Sequence, residues 1–471
     1  MKFAYQFTEK KEPVTIWINE LPVMVNEANE LVCIPHSIDM PVIGTVGKRA
    51  SGKSYMNHSM IDRIYWYWKE PLLCMNDLTH ELISWGRANS SKQQIELLAK
   101  YGESPKPLPI VYLYPHFKNI ILPDHDFYEL SIPFEFFLQS APYFLDLKKS
   151  ADHLKLNLKY IMHCKSPEEI QEELSLRIKN KNIVQTIMVS LRKYVDEELT
   201  DFNSNALSYV DVGDYASMAA MYPYAEMEED KARRLYPPRK YGPIPFTKEQ
   251  FDYFLEDGRE IGYPIESGLK YYWSNRSRYT PMLGFARQNL IPVLNTEQLR
   301  SKKYFHSYMY YLLDVIINNQ SRDKYWSTNS LPVWLFFDEV TRVASTTLKK
   351  ETTDKLREIA QSGRPLRMGL LYVTQDYVKV DSILRSQTTY LFSFRFTAKS
   401  QAKTIRDDMH LSEYEEEEIL SLRKHEVLGM TSEHFVVYSP DGQRYETEKT
   451  QKGISLPPLS EHSRPRSITH T

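Results

Sequence analysis

Residues 47–54 read GKRASGKS, which puts Gly47, Gly52, Lys53 and Ser54 in the spacing G-x-x-x-x-G-K-[ST]. Glycines at such positions let the backbone come close to a bound anion and take up conformations that a side chain blocks. Successive N–H groups, with the positive end of a following helix, can then surround phosphate oxygens. Lys53 is placed to neutralise β- and γ-phosphates, and Ser54 to ligate Mg²⁺. The candidate nucleotide-binding residues are therefore Gly47, Ala50, Ser51, Gly52, Lys53, Ser54 and Tyr55, with ATP and Mg²⁺ as the expected cofactors. Average residue usage gives roughly 0.02 chance matches in a chain of this length, so composition alone does not account for the motif.

A second set of chemical groups lies far downstream. In LPVWLFFDEV, residues 331–340, the apolar run Val333–Phe337 ends in Asp338 and Glu339. An acid at the end of such a strand can hold Mg²⁺. An acid beside it can serve as general base if a water lies within hydrogen-bond reach. Asp338 is thus the second candidate metal ligand, with Ser54, and Glu339 the candidate base. Acid pairs after apolar strands are common, so it is their order after Lys53 that ties them to the loop. The adjacent Glu also favours a hydrolase over a small-molecule kinase.

These groups need elements to hold them. Pro41–Val46 is a short apolar run suited to a buried strand. After the loop, Met56, Met60, Ile61, Ile64, Tyr65 and Trp68 recur at helical spacing. Strand, glycine loop, helix is the context that phosphate binding requires. The chain has 471 residues, 42% hydrophobic and 25% charged, which excludes a wholly disordered or collagen-like polymer. Lys+Arg total 59 against 61 Asp+Glu, so any nucleic-acid contact must come from a local basic surface. Cys33, Cys74 and Cys164 are too few and too scattered for a disulfide framework or a zinc knuckle. No apolar run reaches the ~18 residues of a membrane span, and Glu9–Glu12 interrupt any signal peptide. The expectation is a soluble cytoplasmic protein, in a cell or a virus-infected cell.

From Asp338 onward the sequence resembles the HerA/FtsK superfamily of P-loop motor ATPases. The resemblance rests on an ordered succession. Phe336-Phe337-Asp338-Glu339 is followed by a helical stretch, LKKETTDKLREIAQS, which is expected to stop at Gly363 as a C-cap, with Arg364 next. Then come a strand, Met368–Thr374, ending in Gln375, a short helical run at Ser382–Ser386, and a strand, Thr389–Phe396, bearing Arg395. Pro71–Met75 with Asp77 resembles the family's second strand and its terminal acid. Leu290–Asn295, followed by Phe305, Tyr308, Met309, Leu312, Val315 and Ile316 on one helix face, resembles the unit before the acid pair. Matched stretches cover residues 41–140 and 288–400.

The resemblance implies a RecA-like α/β P-loop NTPase core with a mainly parallel sheet, interrupted by a large helical insertion. It implies that Gln375 senses the γ-phosphate from the strand between the two phosphate-site strands. It implies that Arg364 stabilises transition-state charge across a subunit interface, with Arg395 and Arg385 in reserve; a solvated surface arginine is the alternative for Arg364. A trans arginine needs a homo-hexamer or other ring. The sequence departs from the family in Arg49-Ala50-Ser51 ahead of Gly52 and in the 285-residue separation from Lys53 to Asp338. Only about forty residues precede the loop, which is short for the β-barrel domain of archaeal members and leaves a nuclease or other accessory partner open. The lack of a membrane anchor argues against a conjugative coupling protein of the usual layout.

The expected organisation is residues 1–140 as N-terminal strands and the first half of the core, 141–287 as a mainly helical insertion, 288–450 as the second half with a C-terminal hairpin, and 451–471 as a mobile tail. Within the insertion, Ser166-Pro167-Glu168-Glu169 reads as a helix start. Residues 270–279, KYYWSNRSRY, mix basic and aromatic side chains that could contact DNA by charge and stacking. KARRLYPPRKY, residues 231–241, follows an acidic stretch and reads as ordinary mixed surface. Glu413 and Glu415–Glu418 read as a solvated helix face. The expected function is Mg²⁺-dependent ATP hydrolysis driving DNA through a ring, in packaging, transfer or processing. The alternatives are a P-loop ATPase acting on protein and a non-motor nucleotide-dependent regulator.

Overall fold

The computed structural model describes residues 2–5, 14–17, 19–36, 40–77, 81–115, 128–130, 150–161, 164, 167–198, 290–296, most of 305–321, 332–346 and 351–462. Strands β1 (Lys2–Tyr5) and β2 (Val14–Trp17) form a separate antiparallel ribbon. The remaining described strands join one sheet. They are β3 (Leu21–Asn26), β4 (Leu31–Ile34), β5 (Val42–Val46), β6 (Leu72–Asp77), β7 (Ile110–Pro115), β8 (Tyr128–Leu130) and β9 (Ile291–Asn295). After these come β10 (Val333–Phe337), β11 (Met368–Thr374), β12 (Tyr390–Phe394), β13 (Glu426–Thr431), β14 (Phe435–Tyr438), β15 (Arg444–Thr447) and β16 (Gln451–Ser455).

The order across this sheet is β15-β14-β4-β3-β16-β13-β12-β5-β11-β10-β6-β9-β7-β8. From β12 to β8 every described pairing is parallel. From β13 to β15 the pairings are antiparallel. Parallel strands survive only when both faces are covered, and the side chains show that cover. Val333, Leu335 and Phe337 of β10 join one core cluster, with Met368, Leu370 and Tyr372 of β11. Trp334 and Phe336 point to the other face, with Leu371 and Val373. This alternation is the period of two that a strand imposes.

Helix α1 (Lys53–Arg63) covers the second face with Met56, Met60, Ile61 and, just past its end, Ile64, all fully buried. At about 1.5–3 kcal/mol for each such side chain, this stripe is what anchors the helix to the sheet. On the first face lie Phe305, Met309, Leu312 and Ile316 and the helix Glu351–Leu366. The fold class is therefore RecA-like α/β, with β11 between the loop-bearing β5 and the acid-bearing β10. The insertion contributes the helices Ser150–Ile161, Pro167–Arg177 and Lys181–Glu198, the second opening on the Pro167 of the expected helix start. Residues 231–241 and 270–279 lie outside the described residues.

Three local expectations are corrected. The helix after the acid pair does not stop at Gly363 but runs to Leu366, where Arg367 takes the left-handed conformation (φ 52°) that ends it. Gly363 is a packing residue: a Cβ there would sit 2.5 Å from the carbonyl oxygen of Met368. The tail expected from residue 451 begins instead with β16, paired to β3 and β13. Beyond it Leu456, Leu459 and Ser460 are buried. Pro457-Pro458 marks a strap held by hydrogen bonds to core elements, not a loose end. The acidic helix Glu413–Ser421 is not wholly solvated. Ser412 and Glu415 form a capping box, while Glu416 is buried against Arg406 at 2.6 Å.

Candidate nucleotide site

The loop follows β5 at the carboxyl edge of the parallel strands, where ligands of open α/β sheets bind. Gly47 (φ 147°), Ala50 (φ 60°) and Gly52 (φ 122°) all have positive φ. A Cβ on Gly47 would lie 2.7 Å from that of Phe394, and one on Gly52 2.8 Å from the Phe394 ring. Both the conformation and the packing against β12 therefore select glycine at these two positions. The loop is also tied down internally and at its flank. Ser51 Oγ donates to the Lys48 carbonyl at 2.8 Å, and Lys48 N–H donates to the Arg395 carbonyl at 3.2 Å.

Lys53 opens α1 and is only 6% exposed as a residue. Its Nζ donates to the Lys48 carbonyl at 2.7 Å, inside the loop. Burial lowers its pKa from 10.5 to about 8, against the pull of Glu339 and then Asp338, whose charges act on it. The downstream acids and the loop lysine thus share one electrostatic site. Asn57 fixes the first turn from behind, bridging Thr45 Oγ1 on β5 (3.2 Å) and the Lys53 carbonyl (2.9 Å). Ser54 is exposed at the start of α1. Tyr55 is half-buried and turns edge-on to the His462 ring at 5.7 Å; burial raises its hydroxyl to about 12.

Asp338 and Glu339 leave the end of β10 in a tight turn, with Glu339 at φ 58°. Both are partly exposed at the strand tips. Glu339 Oε1 accepts from Thr374 Oγ1 at 2.7 Å, and Oε2 from the Gln375 N–H at 3.2 Å. The side-chain amide of Asn76, on β6, donates to the Asp338 carbonyl. Gln375 is exposed just beyond β11, level with the loop on one side and the acids on the other. Lys53, Asp338, Glu339 and Gln375 therefore meet at one edge.

The arginines separate. Arg364 lies in the last turn of the helix Glu351–Leu366, which returns the chain to the start of β11. Its backbone is at the sheet edge opposite the loop, about 20 Å away by the length of β11. Within the chain its backbone stands clear of Lys53. Arg385 is engaged with Asp408 at 2.7 Å. Arg395, exposed, adjoins the loop through the carbonyl that accepts from Lys48.

Sequence reading passed over Thr374, Asn76 and His425. The last donates its N–H to the Ser51 carbonyl (3.1 Å) and has φ 70°. Thr374 is a polar residue ending an otherwise apolar strand and Asn76 the polar residue before the last of one, and that is the one signal they carry. Among the described residues no three His, Cys, Asp or Glu side chains cluster as a metal site. Such a cluster is not needed for Mg²⁺ bound by one or two protein oxygens, water and phosphates. Ser54, exposed at the start of α1, and Asp338, partly exposed beyond β10, carry oxygens of that kind.

No protein-family model and no curated protein matches the chain. Among solved structures it is similar to the genome packaging NTPase B204 from Sulfolobus turreted icosahedral virus 2 in complex with AMP, at 15% identity and a TM-score of 0.23. That alignment covers 35% of this chain and 66% of that one, so the chain spans about two thirds of this neighbour's length. It is also similar to VirB4 of Thermoanaerobacter pseudethanolicus (14% identity, TM-score 0.38, 92% of this chain and 97% of that one). A third is the bacterial conjugative coupling protein TrwBΔN70 in its unbound monoclinic form (11% identity, TM-score 0.41, 96% and 95%). By its own strand order and pairing, the chain has a RecA-like α/β fold, with the glycine loop and the paired acids at one edge of its parallel strands.

Proposed function

We propose that this chain is a Mg²⁺-dependent ATPase whose turnover moves DNA through a ring of its own copies. The observation that carries the reading is the meeting of Lys53 with Asp338 and Glu339 at one sheet edge, though Asp338 lies 285 positions beyond Lys53. The loop N–H groups and Lys53 hold the β- and γ-phosphates. Ser54 and Asp338 would hold Mg²⁺, which when bound would supply neutralising charge at the phosphate oxygens. Glu339 takes a proton from the attacking water, and Gln375 contacts the γ-phosphate beside it. Arg364, remote from its own loop, serves the neighbouring subunit's site, which is why a ring is required. DNA as the moved polymer follows the HerA/FtsK resemblance, with 270–279 as the contact segment.

The test is ATPase rate with and without single- and double-stranded DNA, alongside mass in solution. Turnover that rises with DNA in an oligomer, and is lost in Lys53→Ala, supports the reading. Turnover indifferent to DNA refers the motor to a protein substrate. A chain that stays monomeric with nucleotide, and hydrolyses without stimulation, is a regulator instead. Mixing Arg364→Ala with Lys53→Ala subunits tests the trans role: recovery of turnover in mixed rings is expected, and no recovery removes Arg364 from catalysis across the interface.

A further inference from the structure

Resting on the ATPase reading above, we propose that Thr374 is a positioning residue that orients Glu339 for hydrolysis. Thr374 is the last residue of β11 and is fully buried. Its Oγ1 accepts from the Asp376 N–H at 3.0 Å. A hydroxyl has one proton to give, and here it goes to Glu339 Oε1 at 2.7 Å. The same oxygen accepts from Thr341 Oγ1 at 2.5 Å, and Oε2 accepts from the Gln375 N–H at 3.2 Å. A carboxylate offers about four lone-pair sites. Three are filled by these donors, and the one left is the site for a water.

The donors also fix direction. Glu339 has a left-handed backbone (φ 58°), a conformation that a side chain adopts only when its surroundings impose it. Those surroundings come from both strands beside β10: Asn76 of β6 holds the Asp338 carbonyl, and Thr374 of β11 holds the Glu339 carboxylate. Thr341 is in the acid turn's own segment and moves with it. Thr374 is on the sheet, so it is the side chain that references Glu339 to the rigid frame carrying the loop. Losing its hydroxyl removes the side-chain tie to that frame, leaving the longer Gln375 N–H bond and Thr341 to hold the carboxylate, with Lys53 and the loop untouched.

The experiment uses the full chain with Thr374→Val, which keeps the volume and removes the proton. Its kcat is expected to fall about ten- to a hundredfold, the scale of a misplaced catalytic group, with KM for ATP and binding of an ATP analogue within about twofold. Thr374→Ser, which keeps the hydroxyl, is expected to recover kcat to within about threefold. In a Glu339→Gln background, Thr374→Val is expected to cost under about twofold, because it acts only through Glu339. An unchanged kcat in Thr374→Val, an equal loss in the Glu339→Gln background, or no recovery by serine overturns the proposal. If Thr374→Val fails to fold, Thr374→Ala carries the same comparisons. Wild-type turnover in Lys53→Ala would instead overturn the ATPase reading itself, and a wild-type chain with no turnover overturns both.

Discussion

Lys53 gives a prediction that can be worked in protons. In the nucleotide-free chain burial holds its pKa near 8, and at pH 9 it is about one-tenth charged. A bound polyphosphate brings negative charge to the ammonium and restores a pKa at or above the usual 10.4 for lysine. Binding at pH 9 should therefore take up about 0.9 proton, and at pH 7 almost none. Affinity should weaken by up to tenfold per unit as pH climbs above about 8. Calorimetry with a non-hydrolysable ATP analogue, in buffers of different ionisation enthalpy, reads the uptake directly. Lys53→Arg, which stays charged throughout, should abolish it.

The same burial has a stability sign. The folded pKa lies below the unfolded one, so the unfolded chain binds more protons between pH 8 and 10.5. The cost of holding Lys53 charged is fully present below pH 8, is on the order of 3 kcal/mol, and is relieved as pH rises. Lys53→Met should accordingly raise the unfolding temperature of the nucleotide-free protein at pH 7. Uptake below about 0.2 proton at pH 9, with affinity flat from pH 7 to 9.5, would refute both the buried lysine and its role on phosphate.

Other consequences follow from single contacts. Glu339→Gln should bind the ATP analogue as tightly as wild type yet turn over at least about a hundredfold more slowly, measured by equilibrium binding and phosphate release. Gly363→Ala should destabilise by about 1–3 kcal/mol in denaturant unfolding, because the Met368 carbonyl it meets belongs to a core strand and cannot yield; Gly363→Asn should be no better, whereas a left-handed cap would accept it. Asp62, buried in α1, accepts from Leu459 N–H, Ser460 N–H and Ser460 Oγ of the C-terminal strap, and burial raises its carboxyl to about 7. A folded pKa above the unfolded one means stability present at low pH and lost up to about pH 7. Asp62→Asn should therefore gain on wild type as pH rises from about 4 to 7, by up to about 4 kcal/mol, in unfolding curves taken across that range; a constant difference would show that the strap grips an ionised Asp62.

Sequence alone settled whatever depended on chemistry between near neighbours. The loop was legible because phosphate binding by backbone needs glycines, a lysine and a helix start at fixed local spacing, and all of these lie within residues 47–54. The strands β5, β10 and β11 were legible because strands buried on both faces must be almost wholly apolar. What tertiary structure decided was distance. The placement of β11 between β5 and β10 brings Thr374 and Gln375 to Glu339, and nothing in a threonine ending an apolar run states which carboxylate it will meet. Gly363 looked like a helix end because a glycine that caps and a glycine that admits a carbonyl are the same letter. Gln451–Ser455, polar and glycine-bearing, looked like a tail because its partners, β3 and β13, come from opposite ends of the chain. Local spacing is written in consecutive residues; the pairing of strands hundreds of residues apart is set only when the whole sheet buries its two faces.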